Sequence, residues 1–449
     1  MRFTPSKRLL KRLALGFAIT IGLLLMANGV MAWRVESRLQ ARLEAIRAAG
    51  DPASIADLAP APLPNSENAA AYIEAIRPQI EAFSKEYGRF YAKTALGKAY
   101  DKAEILGELP TAEQAEAMRA ILNSYPLIDQ ELTRAAACEQ FASRGDFTVN
   151  HQEFLEQMLD RLSNFRAAAR YVAWQCRTLL QAGEIDAAVE KGVALLRLSR
   201  LHDEEPLLVS YLVSIAVRGV AIHELYQALN TGLASPEVLM KLETELARQD
   251  DPHRFARMLR SERGYAMNTF DLMPGQDVNP FYFSMVSWPM KQYYLGASDH
   301  YDALLKAADG GWDEFRSDTQ SGGSLAEPTG HGVLADLLMP AMEAAVSAED
   351  RNTAMLRSLR AFNSLLLYKA EHGREASGLA ELGLPAAQIA DPLTGKPLIA
   401  KHTDRGWIIY SVGTDGVDDG GEFAKPKDFG VGPPKLESDD KDSGDDQLE

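Results

Sequence analysis

The sequence predicts a mainly α protein with an N-terminal transmembrane helix, a multi-helical body and a small α+β C-terminal module carrying a β-hairpin. Three observations predict it. A basic N-terminus leads into a long uncharged apolar stretch. Helix starts and stops follow one another from Ser66 to Asn268. Turn dipeptides, two β-prone runs and a Gly/Asp-rich loop crowd residues 391–421.

Arg2, Lys7, Arg8, Lys11 and Arg12 make residues 1–12 a basic cytoplasmic segment, and the apolar run at 13–33 holds only Thr20 and Asn28 as clearly polar residues. About 20 residues rising 1.5 Å each cross a hydrocarbon core of ~30 Å. Basic residues stay on the cytoplasmic side, so everything from about Arg34 onward lies outside it. The chain is then a single-pass inner-membrane protein with a periplasmic body. The rival reading is a cleaved signal peptide, with Val30 and Ala32 at its small-residue positions. Against it, the run is long for a signal peptide. In addition, Val35, Leu39, Leu43 and Ile46 extend a helical stripe to Gly50-Asp51-Pro52, predicting an amphipathic stalk helix over 34–50.

The 449 residues carry a formal charge of -16. From Pro433 onward the chain holds seven acidic residues and two lysines, so residues 425–449 read as a disordered acidic tail. An acidic chain without a basic patch argues against nucleic acid as a partner. The two cysteines, Cys138 and Cys176, fall in segments read as one helical hairpin turning near Asp146. In that arrangement they differ in height by roughly 33 Å at 1.5 Å per residue, far beyond the ~7 Å a bridge tolerates. Two separate buried thiols are expected.

Residues 66–320 read as a helical domain. Thr111 with Gln114 is a capping box, Ser235-Pro236 and Asp251-Pro252 are N-caps followed by proline, and Pro78 and Pro126 should break their helices. Residues 173–200 resemble one helix-turn-helix unit of a tetratricopeptide-type array, although no second copy follows at that period. Residues 207–220 are very apolar but too short for a second span, which predicts a buried core helix. Residues 271–292 read as a loop rich in aromatics (Phe281, Tyr282, Phe283, Trp288), either pinned to the body or forming a binding lip. Gly310-Gly311 and residues 321–323 bracket an expected mobile connection.

Residues 332–424 read as a long helix ending at Gly373, followed by the Asp391-Pro392 and Thr394-Gly395 turns, a hairpin and a loop. Glycines 413, 416, 420 and 421 let that loop fold back on itself. Asp415, Asp418, Asp419 and Glu422 crowd carboxylates into it, and a hard oxygen-liganded cation such as Ca²⁺ would relieve their repulsion. A solvated Asp/Gly turn is the equal alternative. The spacing is not that of an EF-hand, because Val417 stands where a ligand is needed.

This order of helix, turn, hairpin and Gly/Asp loop, from about Met355 to Glu422, resembles the globular part of the major pseudopilins of type II secretion systems. The resemblance implies a small antiparallel sheet and a calcium-binding loop. It does not extend to the N-terminus: Gly16-Phe17 fits a pseudopilin leader, but Ile21 occupies the place of the glutamate. The whole chain resembles a group of uncharacterised bacterial membrane-anchored proteins that share an anchor, a motif like Pro64-Asn65-Ser66-Glu67-Asn68-Ala69-Ala70, a helical middle and this module. That implies an architecture and no activity.

His223-Glu224-Leu225-Tyr226-Gln227 falls one residue short of a zinc-protease HExxH, with Gln227 in the second ligand's place, so His223 reads as a partly buried helix residue. His202-Asp203-Glu204-Glu205 reads as a polar turn between helices. No nucleophile elbow, phosphate loop or Cys-x-x-Cys is present. The expected function is a non-enzymatic, membrane-anchored binding or scaffold protein of the bacterial envelope, with a protein partner there. The alternatives are an accessory component of a secretion or pilus-like machine and an envelope-polymer hydrolase.

Overall fold

A computed structural model describes residues 7–105, 107–268, 280–320, 333–423 and 427–433. Among them are fifteen helices and one three-stranded sheet. The helices are α1 (Lys7–Ala48), α2 (Ala69–Ala75), α3 (Arg77–Lys93), α4 (Ala95–Ile105), α5 (Ala112–Asn123), α6 (Pro126–Ala137), α7 (His151–Gln181), α8 (Ile185–Leu201), α9 (Leu208–Leu229), α10 (Pro236–Gln249), α11 (Arg254–Asn268), α12 (Pro280–Ala308), α13 (Trp312–Gln320), α14 (Val333–His372) and α15 (Ala386–Ile389). The strands are β1 (Ile399–Thr403), β2 (Gly406–Ser411) and β3 (Phe429–Val431).

Most local signals act as their chemistry requires, but Ser235 precedes α10 without a side-chain capping bond. Asp251-Pro252 forms a turn in which Asp251 accepts from the His253 N–H at 3.0 Å, so that α11 starts only at Arg254. Thr111 and Gln114 form a reciprocal capping box, Pro78 and Pro126 sit in the first turns of α3 and α6, and α14 stops at Gly373, whose φ is +66°. Asn68 explains the 64–70 motif. Its buried side chain caps α2 through the Ala70 N–H at 3.0 Å and exchanges two hydrogen bonds of 2.9 Å with the backbone of Ala142. The motif is a stitch between two distant segments.

α1 is one unbroken helix. Its apolar stretch is bare, with Leu13, Phe17, Leu24 and Trp33 each more than 60% exposed, whereas Val35, Leu39 and Ile46 are buried. The expected stalk is therefore docked along α12. The region read as an aromatic loop is corrected in the same place: from Pro280 onward it is helical and belongs to α12, while residues 269–279 lie outside the described residues. Gly310 and Gly311 form the tight turn into α13, and residues 321–323 are not described.

Two apolar cores meet along α9 and α14. The larger joins α2 to α10 with the middle of α14 and the sheet, through Phe83, Trp174, Leu225, Phe362 and Ile409. The smaller collects Tyr211, Phe255, Tyr301, Trp312, Phe315 and Met342 from α9 and α11 to α14. α9 is long and apolar enough to cross a membrane by composition, yet over half of its apolar window is buried inside the protein, as expected of a core helix. Cys138 and Cys176 are buried apart, their thiols bonded to the carbonyls of Arg134 and Ala188.

Charges are buried between the two cores. The Arg218 guanidinium, fully enclosed, donates to Asp203 at 2.6 Å, to Gln249 at 2.9 Å and to the Ser199 carbonyl at 3.4 Å. Arg254 donates to Glu349 at 2.8 Å and lies 3.6 Å from Asp203. Two arginines and two carboxylates thus balance one another across α8 to α11 and α14. The stretch 202–205, placed correctly between helices, is corrected in environment: His202 and Glu205 are buried, and Glu205 pairs with Arg161 at 2.9 Å. Leu207 then takes φ +80°, strained for a branched residue. Its N–H and that of Leu208 are satisfied by Ser261 at 3.1 Å and Glu262 at 2.8 Å from α11.

The sheet is antiparallel in the order β1-β2-β3, with Ile399 opposite Tyr410 and Ser411 opposite Phe429. β3 corrects the boundary of the tail, since the chain expected to be disordered from 425 supplies a sheet strand at 429–431. Residues 434–449 lie outside the described residues.

Removing one partner of a buried ion pair strands the other charge. Arg218→Ala is expected to lower unfolding free energy by about 3–5 kcal/mol, read as a drop in the urea midpoint of the detergent-solubilised chain. A change below about 1 kcal/mol would show that the network is not coupled to folding.

Candidate functional site

The C-terminal loop lies between β2 and β3 and is built by close backbone approach. A Cβ on Gly413 would come within 1.5 Å of the Lys427 carbonyl oxygen, and its φ is +68°, so only glycine fits. The Asp391-Pro392 turn supports the same edge. Asp391, buried, accepts from the Leu393 N–H and the Ser411 hydroxyl, each at 2.8 Å. It is a bracket for β2.

The four carboxylates expected to hold a cation do different things. Asp415 is exposed and closes a turn by accepting from the Val417 N–H at 3.1 Å. Asp418 accepts from the Tyr410 hydroxyl at 2.6 Å and the Gly420 N–H at 2.9 Å, with the Lys401 ammonium 3.4 Å away. Those donors, Tyr410 foremost, hold Asp418 below the usual aspartate range. Asp419 pairs with Lys427 at 3.1 Å through one oxygen, while its other oxygen is buried without a donor. Glu422 is half-buried where the loop turns back.

Asp428, absent from the expected set, is the most buried carboxylate of this loop. One of its oxygens accepts from the Gly421 N–H at 2.7 Å and the other has no donor. Burial, followed by the nearby charges of Asp419 and Asp418, pushes its pKa up. The run Phe429-Gly430-Val431, beyond Lys425-Pro426-Lys427, is too short to mark a strand in the sequence. Among the described residues, no group of three or more His, Cys, Asp or Glu side chains is placed to hold a metal ion. Within the described part of the loop, Asp419 and Asp428 each keep one buried oxygen without a donor.

A groove of about 150 Å³ runs beside this loop, lined by His223, Tyr226, Arg351, Asp428 and Phe429. His223 is corrected from partly buried to exposed, whereas its neighbour Glu224 is buried against Arg177 at 2.6 Å.

A second cavity, about 70 Å³, lies where α10 and α11 meet α13 and α14. It holds several acids, the feature a hydrolase would need. Each of three is matched to an arginine: Asp251 to Arg257 at 2.6 Å, Asp313 to Arg357 at 2.9 Å and Glu349 to Arg254 at 2.8 Å. Asp251 is held below its ordinary pKa, its burial outweighed by Arg257. Asp350 differs, but it sits under α13, 2.8 Å from Arg316. Burial and the charges of Glu349 and Asp391 outweigh Arg316 and raise its pKa to about 7.

No family model, curated protein or solved structure matches this chain.

Asp350 links stability to pH. Its folded-state value lies above the unfolded 3.8, so the folded chain holds the extra proton and stability falls as pH rises. The contribution is complete below about pH 4 and lost as pH climbs through about 7. Asp350→Asn is expected to flatten the decline in urea midpoint between roughly pH 5 and pH 8, a window above the ordinary carboxylate range. An unchanged slope would assign that decline to other groups.

Proposed function

We propose that this chain is a non-enzymatic binding or scaffold protein of the bacterial envelope, fixed to the inner membrane by α1 with its body in the periplasm. The observation that carries the reading is the division of α1. Its first part is apolar, uncharged and bare, and its last part is packed into the body. A bare apolar helix of that length has a lipid core as its natural surroundings. The basic residues before it set the orientation.

The helical hairpin of α7 and α8 turns at Ala182 and Gly183 and resembles a tetratricopeptide unit, a shape suited to an envelope protein partner. The C-terminal module is the second part of the proposal. Its order of long helix, antiparallel hairpin and Gly/Asp loop supports a pseudopilin-like reading. Ca²⁺ would then order the loop through the donor-free oxygens of Asp419 and Asp428, with Asp415, Asp418 and Glu422 completing the negative field around them.

Two measurements test these parts separately. The chain should remain in membranes after alkaline carbonate extraction, and Leu233→Cys, an exposed position, should react with an impermeant maleimide in spheroplasts. Release by carbonate would remove the anchor, and labelling only after lysis would reverse the orientation. For the loop, calorimetric titration of Ca²⁺ into the full chain in detergent should show saturable binding that Asp419→Asn with Asp428→Asn abolishes. No heat from the wild type would leave a loop closed by its own turns.

A further inference from the structure

We propose that the N-terminal third of α12 enters the outer leaflet of the bilayer beside α1, so that the protein meets the membrane through two helices of unequal depth. The inference rests on the reading of α1 as a membrane anchor and on the register between the two helices.

That register is read from side chains on both helices. Glu36 pairs with Lys291. Further along α1, Arg42 donates to Ser298 at 3.2 Å, to Asp299 at 3.2 Å and to Asp302. Higher numbers on one helix therefore meet higher numbers on the other, and the helices run parallel. Both must point the same way relative to the membrane.

α12 begins at Pro280, 11 residues before Lys291 (291 minus 280), or about 16 Å at 1.5 Å per residue. The same distance back from Glu36 along α1 reaches residue 25, well inside the apolar run at 13–33. The helix start thus falls near the middle of a hydrocarbon core ~30 Å thick. The partly covered stripe on α1 runs back as far as Asn28, about 4.5 Å short of that level at 1.5 Å per residue. Asn28 and Ala32 are partly buried among exposed neighbours, on the face that continues to Val35, Leu39 and Ile46.

The composition of this end of α12 suits lipid. Between Asp277 and Lys291 there is no charged residue, and Phe281, Tyr282, Phe283 and Trp288 are the aromatic types enriched where membrane meets water. Lys291 then stands level with Glu36, just past the first charge after the span at Arg34. A partner protein would leave the depth of this segment unexplained, whereas the bilayer that receives α1 accounts for it.

The test uses the full chain in vesicles of phosphatidylethanolamine and phosphatidylglycerol, with spin labels at Ser284→Cys, Gly22→Cys and Leu233→Cys in a Cys138→Ala, Cys176→Ala background. Collision with oxygen, which partitions into lipid, is compared with collision with a water-soluble nickel chelate. The label at 22 should behave as lipid-immersed and the label at 233 as aqueous. The expected result is a label at 284 that follows position 22, with the nickel effect lost. A label at 284 that follows 233 while 22 stays immersed would overturn the proposal and leave the anchor intact. Nickel access at both 22 and 284 would remove the anchor itself. A spin-spin broadening at 284 without oxygen access would also overturn it, by assigning the segment to contact between copies.

Discussion

The folded body is organised around a buried, charge-balanced cluster. Arg218 and Arg254 face Asp203 and Glu349 where α8, α9, α10, α11 and α14 converge, and Gln249 and Asn352 fill hydrogen-bonding positions that the ions leave open. Such a cluster contributes little net stability compared with apolar packing of the same volume. Its effect is on choice of arrangement, because any shift of one helix by a turn leaves an ion without a partner. The apolar surfaces of α9 would tolerate several packings, but the Arg218 guanidinium tolerates one.

That constraint propagates to both ends of α9. At its start, strain at Leu207 is held by Ser261 and Glu262 of α11, which satisfy N–H groups that a helix start leaves open. At its end, the Tyr226 hydroxyl donates to the Trp407 carbonyl at 3.1 Å and Asn230 to the Arg405 carbonyl at 3.2 Å. The sheet is thereby tied to the central helix, and the C-terminal module belongs to the same body as the helical domain. α14 reinforces the connection. Its upper part supplies Glu349 to the ion cluster, and its lower part supplies Phe362 and Leu365 to the larger core.

What is legible in the sequence follows the range of the interactions involved. Capping at Thr111, proline breaks at 78 and 126 and the glycine stop at 373 are decided within one turn of helix, and each can be read directly. The four-residue stretch at 202–205 shows the limit. Its charges look solvent-facing because their partners, Arg161 and Arg218, come from helices on either side. Residues 280–292 mislead for a related reason: Phe, Tyr, Ser, Trp and Pro lower local helix propensity, while the contact with α1 that accompanies the helical state is some 250 residues away in sequence. In the candidate site, Asp415, Asp418 and Asp419 are visible as a local cluster. Asp428 is not, since the strand that buries it is three residues long and lies beyond a lysine-proline-lysine stretch.

The unbroken course of α1 has a mechanical consequence. With no hinge between Trp33 and Ala48, and with Val35, Leu39 and Ile46 locked into the body, the domain has no free linker on which to swivel. That stretch of helix, about 15 residues or about 22 Å at 1.5 Å per residue, is docked along α12 and so belongs to the body itself. If the bare part of α1 is seated in lipid as proposed, the protein behaves as a gauge, presenting each of its surfaces at a set altitude above the bilayer. A ligand tethered at another height would be excluded by geometry before any chemistry of recognition came into play.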